Sequence, residues 1–167
     1  PVGDKQTQPW KKGQDEVLGT VAAFLNTEGG TLLIGIQDKP REWGDEPAIV
    51  LGINPDFRWL KKDRMDVEGY THKLLDLFRN SFSRPSVVAT NIKITYEEAL
   101  DKTVCRIDVT GVPRENNMEV YTDVSVQTVH GTKELFFNRQ SDTTVNVSPS
   151  TMTQYITSRF NHPYRNR

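Results

Sequence analysis

The chain has 167 residues with 21 Lys+Arg against 22 Asp+Glu, a net charge of −1. That length is enough for one domain with a real core, and the charge balance excludes a global positive field, so any binding to nucleic acid must use a local patch. No run approaches the roughly 18 apolar residues of a membrane span and no charged-then-apolar leader is found, so a cytoplasmic chain without membrane contact is expected.

Pro1 opens the chain without an initiator Met, which leads us to expect a piece of something longer. Residues 1–13 carry Lys5, Pro9, Lys11, Lys12 and Gly13 without apolar periodicity and read as a loop or N-terminal arm. From Gln14, the residues Val17, Leu18, Val21, Ala22, Phe24 and Leu25 recur at helical steps, and Asp15 and Glu16 suit the positive end of that helix. The helix is expected to stop near Asn26, because Asn tolerates the left-handed conformation that ends helices. Gly29 and Gly30 then permit a sharp turn into Thr31 to Ile36, a continuous apolar run of the kind expected in a central strand covered on both faces. Gly35 within that run predicts close approach by another backbone.

Asp38 to Pro47 reads as a charged loop, and Ile49 to Ile53 as a second short strand that could pair with the first in a hairpin. Asp63 or Asp66 opens the next helix, whose apolar positions Val67, Tyr70, Leu74, Leu77, Phe78 and Phe82 keep the helical period until Pro85, and the stripe through Tyr70, Leu74, Leu77 and Phe78 reads as core. Strands are expected over Val87 to Tyr96, Thr103 to Val109, Glu119 to Thr122, Val124 to Val129 and Glu134 to Asn138, all rich in β-branched and aromatic residues. Ser148-Pro149 is an N-cap followed by proline at the first helical position, opening a closing helix to about Phe160 ahead of a loose tail, 161–167. The sum is one soluble α/β domain with three helices and a strand-rich second half.

Ala23-Phe24-Leu25-Asn26-Thr27-Glu28-Gly29-Gly30-Thr31-Leu32-Leu33-Ile34-Gly35-Ile36-Gln37-Asp38 resembles the signature of the Schlafen AlbA-type domain, a family labelled DNA-binding or divergent ATP-binding. Val50-Leu51-Gly52-Ile53, the helix from Tyr70 to Phe82, the strands Ile92 to Tyr96 and Val104 to Val109, Val112-Pro113 with Val120-Tyr121, and Phe136-Phe137-Asn138-Arg139 before a Thr-rich loop are similar to later family elements in the same order. The resemblance covers roughly residues 14–160. It implies an α+β fold with a mixed, largely antiparallel central sheet and about three helices packed on it. It also implies pairing with a second copy of the domain, as a homodimer or an internal duplicate, and RNA or DNA held on a concave surface.

In the branch of the family that cuts transfer or ribosomal RNA, two glutamates upstream of the first helix act with an aspartate just after the Gly-Gly strand. Asp38 occupies that aspartate position, but residues 1–13 contain no Glu. Three carboxylates could hold Mg2+ or Mn2+ at the scissile phosphate, and Asp38 alone cannot. Its other reading is a turn residue before Lys39-Pro40. The zinc site of the vertebrate relatives is absent too, since Cys105 is the only cysteine; it reads as a small core residue.

Gly29 and Gly30 follow a helix C-terminus, whose dipole repels anions, so they form no phosphate cradle and ATP is not expected. Asn26, Thr27, Gly29, Gly30 and Gly35 are read as structural. Arg58, Lys61, Lys62 and Arg64 form the densest basic cluster, with Phe57 and Trp59 between them. That mixture suits phosphate contacts and base stacking, and equally a solvated approach to a helix with Trp59 tucked inward. Lys39, Arg41 and Arg139 are candidates to complete a binding face. His72, His130 and His162 have no metal-ligand spacing. The expected function is a nucleic-acid-binding domain of a regulatory or defence protein. The alternatives are a metal-dependent endoribonuclease and an oligomerising scaffold or sensor without catalysis.

Overall fold

The computed structural model describes residues 9–37, 48–112, 124–128 and 131–160. Helix α1 spans Pro9–Leu25, so residues 9–13 are helical where the sequence suggested an arm. A proline in the first turn gives up only an N–H that would lack a helical partner anyway, so Pro9 can open the helix without apolar support. The far end falls beside Asn26 as expected, but not through a left-handed Asn26. Positive φ falls on Gly29, at 89°, and not on Asn26. Asn26 N–H still donates to Ala22 O at 3.0 Å, and the hydroxyl of Thr27 donates to Ala23 O at 2.7 Å.

Strand β1, Gly29–Ile34, is an edge strand and not the central one. Its neighbour in the sheet is β5 (Lys102–Thr110), which lies in the centre with β4 (Ile92–Ala99) beyond it, and both pairings are antiparallel. Leu33 stands 48% exposed on the outer face opposite Arg106, so β1 is covered on one face only. The apolar run Leu32-Leu33-Ile34 hides the in-and-out alternation that the fold imposes. Inside, Cys105, Ile107 and Val109 are buried, with Ile92, Ile94 and Tyr96 packed beside them. Outside, the Thr31 hydroxyl donates to Asp108 at 2.7 Å and Arg106 bonds Asp108 at 3.0 Å and Glu97 at 3.2 Å. These contacts hold the Asp108 carboxyl below its ordinary range, the Thr31 bond contributing most.

β2 (Ile36–Gln37) and β3 (Ile49–Val50) form the expected antiparallel hairpin. Gly35, at φ 101°, meets Gly52, at φ 74°, backbone to backbone: Gly35 O accepts from Leu51 N at 2.7 Å and Gly52 N at 2.9 Å. A Cβ on Gly35 would stand 3.1 Å from the Gly52 Cα, the close approach its position implied.

Helix α2 is Val67–Ser81, and Tyr70, Leu74 and Phe78 bury its apolar stripe as anticipated. The next element corrects the sequence reading: Pro85–Asn91 is a helix, α3, and strand β4 begins only at Ile92. Two adjacent valines favour a strand by propensity, yet Pro85 presets the first helical turn, Val88 is buried, and the Asn91 amide bonds Val87 O at 2.9 Å. A second antiparallel sheet runs β6 (Val124–Thr128), β7 (Gly131–Gln140) and β8 (Thr143–Val147), so the Thr-rich stretch is a strand and not a loop. The expected strand at Glu119 to Thr122 and the tail lie outside the described residues. Helix α4, Pro149–Phe160, closes the domain, with Ser148 O accepting from Met152 N at 2.8 Å.

α1 is the strut between the two sheets. Gly30 fits under the Phe24 ring on one side, and Gly19 lies against the Phe137 ring on the other. Asn26, fully buried, donates its amide to Phe137 O at 2.9 Å, and Tyr155 on α4 donates its hydroxyl to Asn26 O at 2.6 Å. The architecture is the expected α+β fold. No helix among the described residues is long and apolar enough to cross a membrane.

Candidate nucleic-acid interface

Residues Asn54–Trp59 form a 3-10 turn with Pro55 in its first positions, anchored through buried Ile53, whose N–H donates to Thr103 O at 2.8 Å. Phe57 and Leu60 turn partly inward, and the Phe57 ring packs against Tyr70 at 6.2 Å between centroids. With those two anchored, Arg58, Trp59, Lys61, Lys62 and Arg64 are left on the surface. Trp59 is 42% exposed, so it is not tucked inward, and the Arg58 guanidinium lies 5.1 Å over its ring. An exposed indole beside a guanidinium presents both a π-face and a positive charge, a pairing suited to meet a base.

Asp66, not Asp63, caps α2, accepting from Gly69 N at 2.8 Å. Gly69 is the residue this junction requires: a Cβ there would collide with the Arg64 carbonyl oxygen. The basic segment therefore sits directly on the first turn of α2. A groove of about 370 Å³ runs between them, with Trp59, Lys61 and Arg64 on one wall and His72 and Lys73 on the other. Asp63 and Asp76 also line it, so the groove is mixed in charge with cations in the majority. Lys62 is exposed on the same segment outside the groove.

On the other side of Trp59 lies a smaller apolar pocket of about 170 Å³ between α1 and α2. Asp56 lines it, and burial raises its carboxyl above the ordinary value while the Arg58 charge opposes that shift.

Of the remaining candidates, Arg139 is placed elsewhere. Arg139, on β7, lies 5.2 Å over the Phe24 ring and bonds the Thr144 hydroxyl at 3.1 Å. Phe24 is near the C-terminal end of α1, whereas Arg58 and Trp59 share a pocket with Gly13 and Val17 near its start. At 1.5 Å per residue those ends are roughly 16 Å apart, so Arg139 is not brought into the groove. Asp38, Lys39 and Arg41 lie outside the described residues. Among the described residues no group of three or more His, Cys, Asp or Glu could hold a metal ion. Asn26 and Thr27 make the hydrogen bonds described above, and Gly29, Gly30 and Gly35 lie where an added Cβ would meet neighbouring atoms.

His72, Lys73 and Asp56 were missed as site residues. Gly69, His72, Lys73 and Asp76 recur at steps of three and four, the face of α2 opposite its apolar stripe, so the second wall had a helical signal.

Fold and groove together define an α+β domain with a basic, aromatic-bearing ridge seated on a helix start. Residues 4–148 match the family described as Schlafen, AlbA_2, and the chain belongs to that family. Membership is consistent with nucleic-acid binding. No curated protein and no solved structure matches the chain.

Proposed function

We propose that this chain is a nucleic-acid-binding domain that holds the phosphate backbone of a single strand along Arg58, Lys61 and Arg64, with Lys73 on the facing wall. The observation that carries the reading is Trp59: half-exposed, stacked under Arg58, and set between cations at the lip of a groove. Stacking on an indole is sequence-tolerant because every base has a π-face, and the cations supply affinity through counterion release. Family membership supports the same reading.

Fluorescence anisotropy with short single-stranded and duplex RNA and DNA probes across a salt series tests it. Binding at low salt is expected to weaken steeply as salt rises. Lys61→Ala with Arg64→Ala is expected to reduce the slope of log K against log salt by about 1.4, roughly 0.7 for each single-strand phosphate that no longer meets a cation. Trp59→Ala lowers affinity at every salt concentration without changing the slope. Absence of binding to all probes at low salt overturns the proposal.

A further inference from the structure

We propose that the apolar pocket between α1 and α2 is a base pocket that receives one unpaired guanine from the strand bound along the ridge; this rests on the nucleic-acid reading above. The pocket measures about 170 Å³. Sites for drug-sized ligands run from about 300 to 1,000 Å³, so this one suits a single ring system and not a whole nucleotide with its sugar and phosphate. Its walls are apolar where a ring would lie, with Val17 from α1, Ile34 from β1, and Leu74 and Leu77 from α2. Arg58 and Trp59 line the same space, so one wall is a stacked guanidinium and indole, and either plane is a platform for a base.

Trp59 also lines the basic groove, which makes the two spaces neighbours across one side chain. A strand whose phosphates follow Lys61 and Arg64 can therefore turn one base aside past Trp59. A stacked or paired base cannot make that turn, and the cost of extrusion is least for a base already unpaired.

Asp56 supplies the selectivity. It is the carboxylate among the lining residues, half-buried, with the Arg58 charge close enough to act on it. An ionised carboxylate only accepts hydrogen bonds, through two oxygens side by side. The Watson–Crick edge of guanine presents two adjacent donors, N1–H and the 2-amino group, which match that pair. Adenine, cytosine and uracil each set an acceptor beside their donor and would turn a lone pair toward the carboxylate. A site whose buried polar group is left unpaired rejects the wrong ligand strongly, so the discrimination is a matter of pairing more than of shape.

The test uses labelled oligouridine carrying one central guanosine, inosine or adenosine, or none, with binding read by anisotropy on the wild-type chain. Guanosine is expected to bind about tenfold tighter than oligouridine, the size of one good bidentate base contact. Inosine, which lacks the 2-amino group, loses most of that gain, and adenosine gains nothing. Asp56→Asn removes the guanosine preference, read as the ratio of guanosine-probe to oligouridine affinity; Lys61→Ala with Arg64→Ala weakens all four probes and preserves that ratio. Equal wild-type affinity for all four probes overturns the base pocket while the ridge reading stands. No binding to any of them overturns both. Guanosine monophosphate competing more strongly than the guanosine-bearing oligonucleotide overturns the strand as the source of the base. The probe series needs no variant, so a misfolded Asp56→Asn does not shelter the proposal.

Discussion

The side-chain amide of Asn26 donates to the carbonyl oxygen of Phe137 at 2.9 Å, joining the end of α1 to β7 across 111 residues of chain. Asn26 O in turn accepts the Tyr155 hydroxyl at 2.6 Å, so one buried residue ties a helix, a strand and the closing helix together. Removing one partner of a buried hydrogen bond leaves the other unsatisfied, at about 1–3 kcal/mol. Asn26→Ala is therefore expected to lower unfolding stability by that amount, and Tyr155→Phe by about 1 kcal/mol, read from urea midpoints at constant slope. Unmoved midpoints in both variants would show that this junction holds nothing.

Gly30 makes a sharper case. An added Cβ would stand 2.5 Å from Cε1 of the Phe24 ring, although the backbone at Gly30 has no positive φ. The glycine is there for space. Gly30→Ala is expected to cost about 1–3 kcal/mol by overpacking, and Phe24→Leu in the same chain to restore part of it. Gly19→Ala, at 3.3 Å from Phe137, is expected to cost less. Thermal melts of the three variants check the order.

The amphipathic faces of α1 and α2, the hairpin of β2 and β3, the closing helix and the meeting of Gly35 with another backbone were legible in the sequence, because each has a local signal in period, cap or glycine. What was not legible depends on tertiary pairing. The edge position of β1 is hidden in Leu32-Leu33-Ile34, since an apolar run does not say which of its faces is covered. α3 was masked by Val87-Val88, whose β propensity lost to Pro85 and the burial of Val88. The role of Asn26 reads locally as a helix stop, whereas its side-chain amide and its carbonyl oxygen bond residues more than a hundred positions away. At the candidate site the basic cluster was visible as composition, but the wall from α2 and the pocket with Asp56 exist only once α1, the 3-10 turn and α2 are brought together.

Between β4 and β5 the turn residues Leu100 and Asp101 both have positive φ, 50° and 58°, the conformation of a type I′ hairpin turn. Leucine is poorly suited to that region, and it is 79% exposed there, so no packing offsets the strain. Replacing the pair by Asn-Gly, Leu100→Asn with Asp101→Gly, is expected to stabilise the chain by about 1–2 kcal/mol, roughly the cost of a left-handed residue with a Cβ. A lower melting temperature in the double variant would count against the strain.

Cys105 and Tyr96 are cross-strand partners, and burial pushes each of them up to about 12, with the Thr71 hydrogen bond pulling Tyr96 partly back. The unfolded chain ionises these groups near their ordinary values, 9.0 and 10.0. Both raised groups stabilise the fold while they stay protonated; that contribution is whole below about pH 9 and drains away as pH climbs toward 12. Stability is expected to hold through pH 8 and to fall across the alkaline window. Cys105 is expected to resist a thiol reagent at pH 8 until denaturant is added. Rapid labelling of the folded chain at pH 8 would refute the burial of this thiol.

Because Gly69 leaves no gap between the first turn of α2 and the Arg64 carbonyl, the cationic segment is moulded onto the helix before any strand arrives. A backbone already seated on the helix needs no slow ordering step on binding, so association is governed by encounter. Stopped-flow traces then consist of one phase whose rate rises linearly with probe concentration and drops as salt is added. Whatever selectivity the domain has is exercised after arrival, in how long the strand stays.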